Sequence, residues 1–220
     1  MRLLLIRHGE STANAEGRLQ GHLDFALSEQ GRRESELLGG RLTSLGVDAL
    51  YTSTLARARE TAQIAGASLD ITPVGREGLM ERDVGALSGL NHIEIRERFP
   101  DYVRARSEGR IDVEIDGWES YADFRVRVDA TLDAIVADHK EGTVACVTHG
   151  GVIGMFLRRV LDLPVVRPVP FAIGNTSVST FEVPDFEMDP RFNPRILLIS
   201  LNDTCHLDGQ RPHEDAPDEG

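Results

Sequence analysis

The chain has 220 residues, of which 40% are hydrophobic, and its formal net charge is −12. This size and apolar content predict a single domain with a substantial buried core. The negative charge argues against nucleic acid and against anionic membrane surfaces as partners. No apolar run is long enough to cross a bilayer, and the leading run is too short for a secretory signal. The two cysteines do not predict a disulfide framework, so the cytoplasm is the expected location.

Strand-like and helix-like segments alternate along the chain. In chain order, the pattern predicts a strand at 2–7, a polar loop to Asp24, a helix at 28–46, a strand at 48–52, a helix at 54–66 and a short strand at 71–74. It continues with a helix at 92–98, a polar segment to Trp118, a helix at 119–139, a strand at 143–148, a helix at 152–162 and strands at 177–183 and 195–201. This alternation predicts an α/β three-layer sandwich, in which helices cover both faces of a mainly parallel sheet.

The first predicted strand runs directly into charged and titratable residues. Residues 3–6 form a continuous apolar run, which is typical of a strand buried on both faces, and Arg7, His8 and Gly9 follow without a turn. Open α/β folds place their ligand crevices at the carboxyl ends of the strands. An arginine there can grip phosphate oxygens, and its charge lowers the pKa of the neighbouring histidine toward the neutral form. We therefore expect an anion-binding site around His8.

Three further segments strengthen this expectation. Residues 52–62 follow the second predicted strand and open a helix, whose free N–H groups favour phosphate. Residues 144–151 again place a histidine and a glycine after an apolar strand, and residues 79–90 present Glu81 on a glycine-rich loop. A lone histidine at a strand end fits a structural role better than a catalytic one. Two histidines and two arginines at strand ends, with one glutamate, form a set suited to phosphoryl transfer through a histidine.

Together these motifs resemble the histidine phosphatase superfamily, in its phosphoglycerate-mutase-like branch. The resemblance covers residues 2 to about 207. It rests on Arg-His-Gly-Glu at 7–10, Ser-x-Leu-x-Arg-Ala-x-x-Thr-Ala at 53–62, the glutamate loop at 79–90 and Thr-His-Gly-Gly at 148–151. It implies the phosphoglycerate-mutase-like fold, including an antiparallel strand that periodicity does not show. One departure lies at 24–28, where Asp-Phe-Ala-Leu-Ser lacks the family's usual proline.

The resemblance also implies roles for individual residues. His8 would be the nucleophile that becomes phosphorylated, and Glu81 would be the proton donor. Arg7, Arg57 and His149 would bind the transferred phosphoryl group. Further phosphate- or substrate-binding residues would be Asn14, Gln20, Gly21 and Gly150.

The expected domain organisation and partners follow from the same resemblance. One histidine phosphatase domain would span 1–207 with a lid insertion at about 82–118, and an acidic tail at 208–220 is expected to be disordered. The partner would be a small phosphorylated metabolite, with a homodimer left open. No metal or cofactor is expected, because the arginines supply the charge that magnesium supplies in other phosphatases. His206 and His213 lie near acids, but a solvated tail is favoured there over a metal site.

Three functional classes remain open. A phosphomonoesterase would release phosphate, whereas a mutase would pass the phosphoryl group to another hydroxyl of the same intermediate. A non-catalytic phosphate-binding or regulatory protein would not need a nucleophile and a proton donor together, so His8 and Glu81 disfavour it. The mutases carry a longer insertion, with tyrosine and lysine at the positions of Val84 and His92. A short insertion admits water to the phosphohistidine, and we therefore favour a phosphatase.

Overall fold

The computed structural model describes residues 1–110, 113–164, 171–184 and 196–208. Its strands are β1 (Arg2–Arg7), β2 (Ala49–Ser53), β3 (Val74–Arg76), β4 (Thr143–Thr148), β5 (Val178–Glu182) and β6 (Leu197–Asp203). Its α-helices are α1 (Thr12–Ala15), α2 (Glu29–Leu45), α3 (Ala56–Ala67), α4 (His92–Arg98), α5 (Pro100–Ser107), α6 (Tyr121–Asp138) and α7 (Gly150–Val160). Short 3₁₀ turns occupy Glu77–Leu79, Gly85–Leu87 and Cys205–Leu207.

The strands form one sheet in the order β3-β2-β4-β1-β5-β6. The first four of these are parallel, while β5 runs antiparallel to β1 and β6 antiparallel to β5. At the centre, Arg7 of β1 pairs in register with Thr148 of β4. The residues that follow each strand, His8 and His149, therefore emerge side by side at the carboxyl edge of the sheet.

The apolar core lies on both faces of this sheet. Alternate residues of β1 point to opposite faces. Leu3 and Leu5 pack against α6 and α7, whereas Leu4 and Ile6 pack against α2 and α3. All four side chains are fully buried. The predicted α/β sandwich with a mainly parallel sheet and helices on both faces is confirmed.

Several predicted elements differ from the observed ones. The short strand predicted at 71–74 is wrong, since β3 begins only at Val74, and Pro73 before it has no N–H to donate to a neighbouring strand. The polar segment expected after Pro100 is the helix α5, with proline in its first turn, where a missing N–H costs nothing. The helix predicted from 152 begins two residues earlier, at Gly150. Its first turn was not predicted, because the two glycines there have low helix propensity.

The two ends of the predicted insertion at about 82–118 lie next to each other in the fold. Val84 and Trp118 form an antiparallel bridge, and the Glu119 N–H donates to the Asp83 carbonyl at 2.9 Å. The Arg82 guanidinium lies over the rings of Trp118 and Tyr121, 4.5 and 4.1 Å from their centroids. These contacts fix the base of the insertion on the start of α6.

The structure describes only part of the last predicted strand and of the predicted acidic tail. Most of the acidic tail predicted at 208–220, from 209 onward, lies outside the described residues, as does residue 195 at the start of the last predicted strand. No helix in the described ranges combines the length and apolarity that crossing a membrane requires. The cytoplasmic location stays a prediction.

Candidate active site

The register of β1 and β4 brings two histidine rings together. The ring centroids of His8 and His149 are 5.1 Å apart, and both side chains are buried. The backbone N–H of His8 donates to the Thr148 carbonyl at 2.9 Å, which continues the strand pairing one residue further. The two rings therefore stand side by side where β1 and β4 end, held by the continued strand pairing.

His8 is held as a neutral imidazole with a defined tautomer. Its Nδ1 lies 2.7 Å from the Gly9 carbonyl oxygen, which can only accept, so Nδ1 carries the proton and Nε2 carries the lone pair. Burial, reinforced by the charges of Arg57 and Arg7, lowers the pKa of His8 well below its ordinary value. The ring is thus uncharged and nucleophilic at Nε2.

Arg57 supplies a buried positive charge beside that nitrogen. Its Nε donates to His8 Nε2 at 3.3 Å, and its two Nη atoms donate to the carbonyls of Gly21 and Leu23 at 3.0 Å each. The side chain is 1% exposed. Burial lowers the pKa of Arg57 to about 10, so it remains a cation at neutral pH. The long contact to Nε2 is the one that a phosphoryl oxygen can replace.

Arg7 provides the second cation. Its side chain is half-buried. Its Nη1 donates to the Ile173 carbonyl at 2.6 Å, and this hydrogen bond fixes the orientation of the guanidinium. Burial lowers the pKa of Arg7, and the charges of Glu81 and Glu34 act in the opposite direction. The two arginines and the neutral His8 therefore form a cationic wall around one nucleophilic nitrogen.

His149 lies behind His8 and is absent from the residues that line the cavity. Its Nε2 is 2.8 Å from Ser53 Oγ, which also accepts from the Leu55 N–H, so the serine proton is available to His149. Its Nδ1 is buried with no hydrogen-bond partner among the described residues. Burial and the neighbouring His8 lower the pKa of His149 well below its ordinary value. Direct phosphoryl binding by His149 stays a prediction; the observed contact is with the ring of His8.

Glu81 is placed at the start of α7. Its Oε2 accepts from the Gly151 N–H at 3.0 Å, and its Oε1 accepts from the N–H of Arg82 at 2.9 Å. A Cβ at position 151 would lie 2.0 Å from Glu81 Oε1, so only glycine leaves room for the carboxylate. The Glu81 carbonyl is 2.7 Å from His22 Nε2, which holds the loop from the other side. The carboxylate is therefore positioned by backbone on both sides.

The other predicted binding residues also lie around this centre. Asn14 Oδ1 accepts from the N–H and hydroxyl of Ser11, a cap that leaves the amide NH₂ for the cavity. Gln20 Oε1 accepts from Ser11 Oγ at 2.9 Å. Gly21 has φ +51°, and its carbonyl holds Arg57. All three line the cavity together with Gly150.

The structure adds residues that the sequence analysis missed. Asn175 Nδ2 donates to the His8 carbonyl at 2.9 Å, and Thr61 Oγ1 accepts from the Gly9 N–H at 2.9 Å. Ser53 lies inside the motif at 53–62, but the motif alone does not indicate its contact with His149. Asn175 carried no local signal, because it comes 167 residues after His8. Such partners are defined by the fold alone.

The cavity in front of His8 has a volume of about 360 Å³ and is strongly cationic. Among the described residues that line it, Glu81 is the only acid. Its lining arginines are Arg7, Arg18, Arg57, Arg82, Arg106 and Arg158. This imbalance favours an anionic ligand although the whole chain is negative.

A metal site was the alternative considered for the histidines near the tail. Within the described ranges, no three His, Cys, Asp or Glu side chains come together in a way that could hold a metal ion. His206 Nε2 instead contacts Thr176 Oγ1 at 3.2 Å. His213 lies outside the described residues.

Comparison with known proteins agrees with this geometry. The model of the histidine phosphatase superfamily (branch 1) matches residues 3–189. The chain is 37% identical over 186 residues to phosphoglycerate mutase-like protein 4 of Arabidopsis thaliana, covering 83% of this chain and 80% of that protein. It is 31% identical over 207 residues to phosphoserine phosphatase 1 of Hydrogenobacter thermophilus, covering 94% of each. The solved mycobacterial glucosyl-3-phosphoglycerate phosphatase, in complex with VO₃, superposes with a TM-score of 0.80 at 28% identity, over 91% of this chain and 98% of that chain. The chain belongs to branch 1 of the histidine phosphatase superfamily and is an enzyme.

Proposed function

We propose that this enzyme is a phosphomonoesterase that hydrolyses a small phosphorylated metabolite through a phosphohistidine on His8. The observation that carries the proposal is the state of the His8 ring. Its Nδ1 proton is bound to the Gly9 carbonyl, and its Nε2 lone pair meets the guanidinium of Arg57 at the cavity wall. A neutral, oriented imidazole beside two cations is what an in-line attack on a phosphate ester needs.

In the first step, His8 Nε2 attacks phosphorus and forms a P–N bond. The ester P–O bond breaks, its electron pair goes to the departing oxygen, and Glu81 gives that oxygen a proton. Arg57 exchanges its long contact with Nε2 for a phosphoryl oxygen, and Arg7 binds another. The positive charge that develops on the imidazole is stabilised at Nδ1 by the Gly9 carbonyl, 2.7 Å away.

In the second step, water displaces His8. The Glu81 carboxylate takes a proton from the water as its oxygen attacks phosphorus, and the P–N electron pair returns to Nε2. Inorganic phosphate leaves, Glu81 is protonated again and His8 is neutral again, so the cycle closes without a further reactant. The site presents no carboxylate cluster for a metal among the described residues, and its arginines carry the compensating charge.

The runner-up is a phosphoglycerate mutase, a reaction that the Arabidopsis relative's name suggests. A mutase must hold the alcohol until the phosphoryl group returns to it. Val84 lines the cavity with an apolar side chain, and His92 is exposed on α4 and does not line it. Neither residue can bind the substrate through a polar group in the cavity, as the tyrosine and lysine of the mutases do. The name of the Hydrogenobacter relative, a phosphoserine phosphatase, supports hydrolysis.

A partition experiment separates the two reactions. The enzyme is incubated with 3-phosphoglycerate, and both 2-phosphoglycerate and free phosphate are followed, beside a panel of other phosphorylated metabolites. We expect phosphate release at the rate of substrate loss, no need for a bisphosphorylated activator, and activity that survives a chelator. Isomerisation much faster than phosphate release, stimulated by bisphosphoglycerate, would establish the mutase instead. Loss of activity on chelation that magnesium restores would discard the histidine mechanism.

A further inference from the structure

The turn at residues 173–177 lies beside the carboxyl end of β1. It leads into β5, which runs antiparallel to β1 with Val178 opposite Ile6. Because an antiparallel strand begins where its neighbour ends, the turn stands next to Arg7. The backbone N–H of Arg7 donates to the Ser177 carbonyl at 3.2 Å, which ties the turn to the edge of the sheet.

Two donors of this turn meet one oxygen, the backbone carbonyl of His8. Asn175 Nδ2 donates to it at 2.9 Å and the Thr176 N–H donates to it at 3.3 Å, and the two lone pairs of a carbonyl can accept both. Asn175 Nδ2 also lies 3.4 Å from Asn14 Oδ1, which gives the amide a defined orientation. Asn175 is half-buried and is absent from the residues that line the cavity. It therefore acts through these neighbours and not on the substrate.

The backbone around His8 is held by three different elements. The His8 N–H donates to the Thr148 carbonyl of β4, and the Gly9 N–H donates to Thr61 Oγ1 of α3, both at 2.9 Å. The His8 carbonyl is held by the turn. The peptide unit between His8 and Gly9 is thus fixed at its oxygen by the turn and at its N–H by α3. This peptide unit positions the Gly9 carbonyl, which accepts the Nδ1 proton of the His8 ring at 2.7 Å.

The turn keeps this arrangement in a strained backbone. Thr176 has φ +50° although its side chain is β-branched, and it is fully buried. Such a conformation persists only where the surroundings impose it, and it clusters at functional sites. Here Thr176 Oγ1 contacts His206 Nε2 at 3.2 Å, and the Gly174 N–H donates to Asn202 Oδ1 at 2.7 Å. The end of β6 and the 3₁₀ turn after it therefore fix the donors on His8 before a substrate binds.

We propose that Asn175 is a positioning residue for the nucleophile. Its amide, together with the Thr176 N–H, fixes the peptide between His8 and Gly9, so that the ring keeps its Nδ1 proton on the Gly9 carbonyl and directs Nε2 into the cavity. This inference rests on the proposed phosphatase function. Without the amide, the peptide can rotate, the Gly9 carbonyl moves relative to the ring, and Nε2 leaves the line of attack. A displacement of about 1 Å at a reacting atom costs roughly 10²-fold in rate.

Asn175→Leu is the primary variant, because leucine is close to asparagine in size and shape but has no donor. Phosphorylation of His8 by nitrophenyl phosphate, followed by rapid quench in a single turnover, should slow by roughly 10- to 100-fold. The affinity for inorganic phosphate, measured by calorimetry, should change little, because Arg7 and Arg57 are left in place. A loss of rate at nearly constant binding is the effect of a misplaced nucleophile.

The tautomer of His8 gives a readout that a loss of stability alone does not change. NMR of the protein labelled with ¹⁵N at histidine shows which nitrogen of each ring carries the proton, and the signals absent from His8→Ala belong to His8. In the wild type at neutral pH we expect the proton on Nδ1. In Asn175→Leu we expect a mixture of the two tautomers and faster exchange of the Nδ1 proton with water.

Asp48→Ala is the matched control. Asp48 Oδ2 accepts from the Thr143 N–H at 2.8 Å, at the amino ends of β2 and β4, so the variant removes a comparable hydrogen bond at the opposite edge of the sheet. It should lower the melting temperature by about 2 to 4 °C. The rate of phosphorylation and the His8 signals should stay as in the wild type.

A wild-type rate of phosphorylation in the folded Asn175→Leu protein, or an unchanged His8 tautomer in it, would overturn the inference. If leucine prevents folding, Asn175→Ala receives the same two measurements, because alanine fills less space and also lacks a donor. The NMR measurement needs no turnover. A wild type that forms no phosphohistidine, while its His8 tautomer still depends on Asn175, would therefore count against the proposed reaction and not against the anchoring of the ring.

Discussion

The sheet edge and the predicted lid at about 82–118 hold their charged side chains in different ways. At the sheet edge, Arg57 is buried and donates to two backbone carbonyls and to His8. In the lid, Arg104 and Arg110 pair with neighbours on the same surface, and their side chains are 67% and 54% exposed. Pairs of the second kind contribute little to stability. The sheet edge is thus preorganised for one reaction, while the lid can change its charges without disturbing the fold.

The largest contrast between the two regions is expected for histidine. His8→Ala should reduce turnover by about 10⁴-fold or more, because the nucleophile is lost, while the fold remains, since the ring stands at a strand end. His92→Ala, in the exposed first turn of α4, should leave turnover unchanged. Steady-state phosphate release and circular dichroism of both variants test this. Substantial turnover by His8→Ala would show that another group is the nucleophile.

The same contrast applies to glutamate, with a smaller effect. Glu81→Gln keeps the side chain's size but removes its proton, so phosphorylation by alkyl phosphates should slow by roughly 10²- to 10⁴-fold. Phosphorylation by nitrophenyl phosphate should change little, because nitrophenolate departs without a proton. Glu97→Gln, exposed on α4, is the control. Rapid-quench measurement of that single step decides the matter, and equal losses with both substrates would assign Glu81 to binding alone.

A pair of glycines tests the placement of Glu81. Gly151→Ala would bring a Cβ to 2.0 Å from Glu81 Oε1 and displace the carboxylate, so we expect a rate loss of roughly 10- to 100-fold. At Gly40 on α2 an added Cβ would meet no atom within 4 Å, and Gly40→Ala should stabilise the protein by about 1 kcal/mol without changing the rate. Kinetics and thermal unfolding of both variants provide the comparison. A fully active Gly151→Ala enzyme would refute the inferred contact.

The smallest expected effect is on stability at acidic pH. Burial lowers the pKa of His8 well below its ordinary value of about 6.5. Below about pH 6.5 the unfolded chain therefore binds a proton that the folded chain refuses. Stability is fully present above that pH and falls as pH decreases, by up to about 1.4 kcal/mol per pH unit for this group.

Denaturant unfolding at about pH 7.5 and about pH 5.5 measures this loss. His8→Asn should make it smaller, whereas His92→Asn, exposed in the lid, should leave it as in the wild type. The other titrating groups are common to all three proteins. Replacing His8 also removes one cause of the lowered pKa of His149, which makes the loss in His8→Asn smaller still. Identical losses in the wild type and His8→Asn would contradict a neutral, buried His8.

What the sequence predicts well is what neighbouring residues encode. The strands at 2–7 and 143–148 are continuous apolar runs, and both were predicted at their observed bounds. The helix α5 was missed because its sequence, PDYVRARS, is polar and shows little apolar periodicity. The order of the strands in the sheet could not be predicted, since the apolar pattern of a strand does not indicate which strand pairs with it.

The site shows the same division. His8, Arg7, Arg57, Glu81 and His149 were named from motifs, and the fold gathers all five around one place. The position of His149 behind the cavity could not be foreseen, because it depends on the 5.1 Å packing of two rings from separate strands.

The central claim is that the phosphoryl group passes through His8, and trapping the phosphoenzyme tests it most directly. The enzyme is mixed with substrate and quenched in base, where phosphohistidine survives, and the phosphorylated residue is located by mass spectrometry of the digest. We predict an acid-labile phosphoryl group on His8, absent from the His8→Ala protein. A phosphoryl group on any other side chain, or an unlabelled His8 together with full turnover by His8→Ala, would contradict the account.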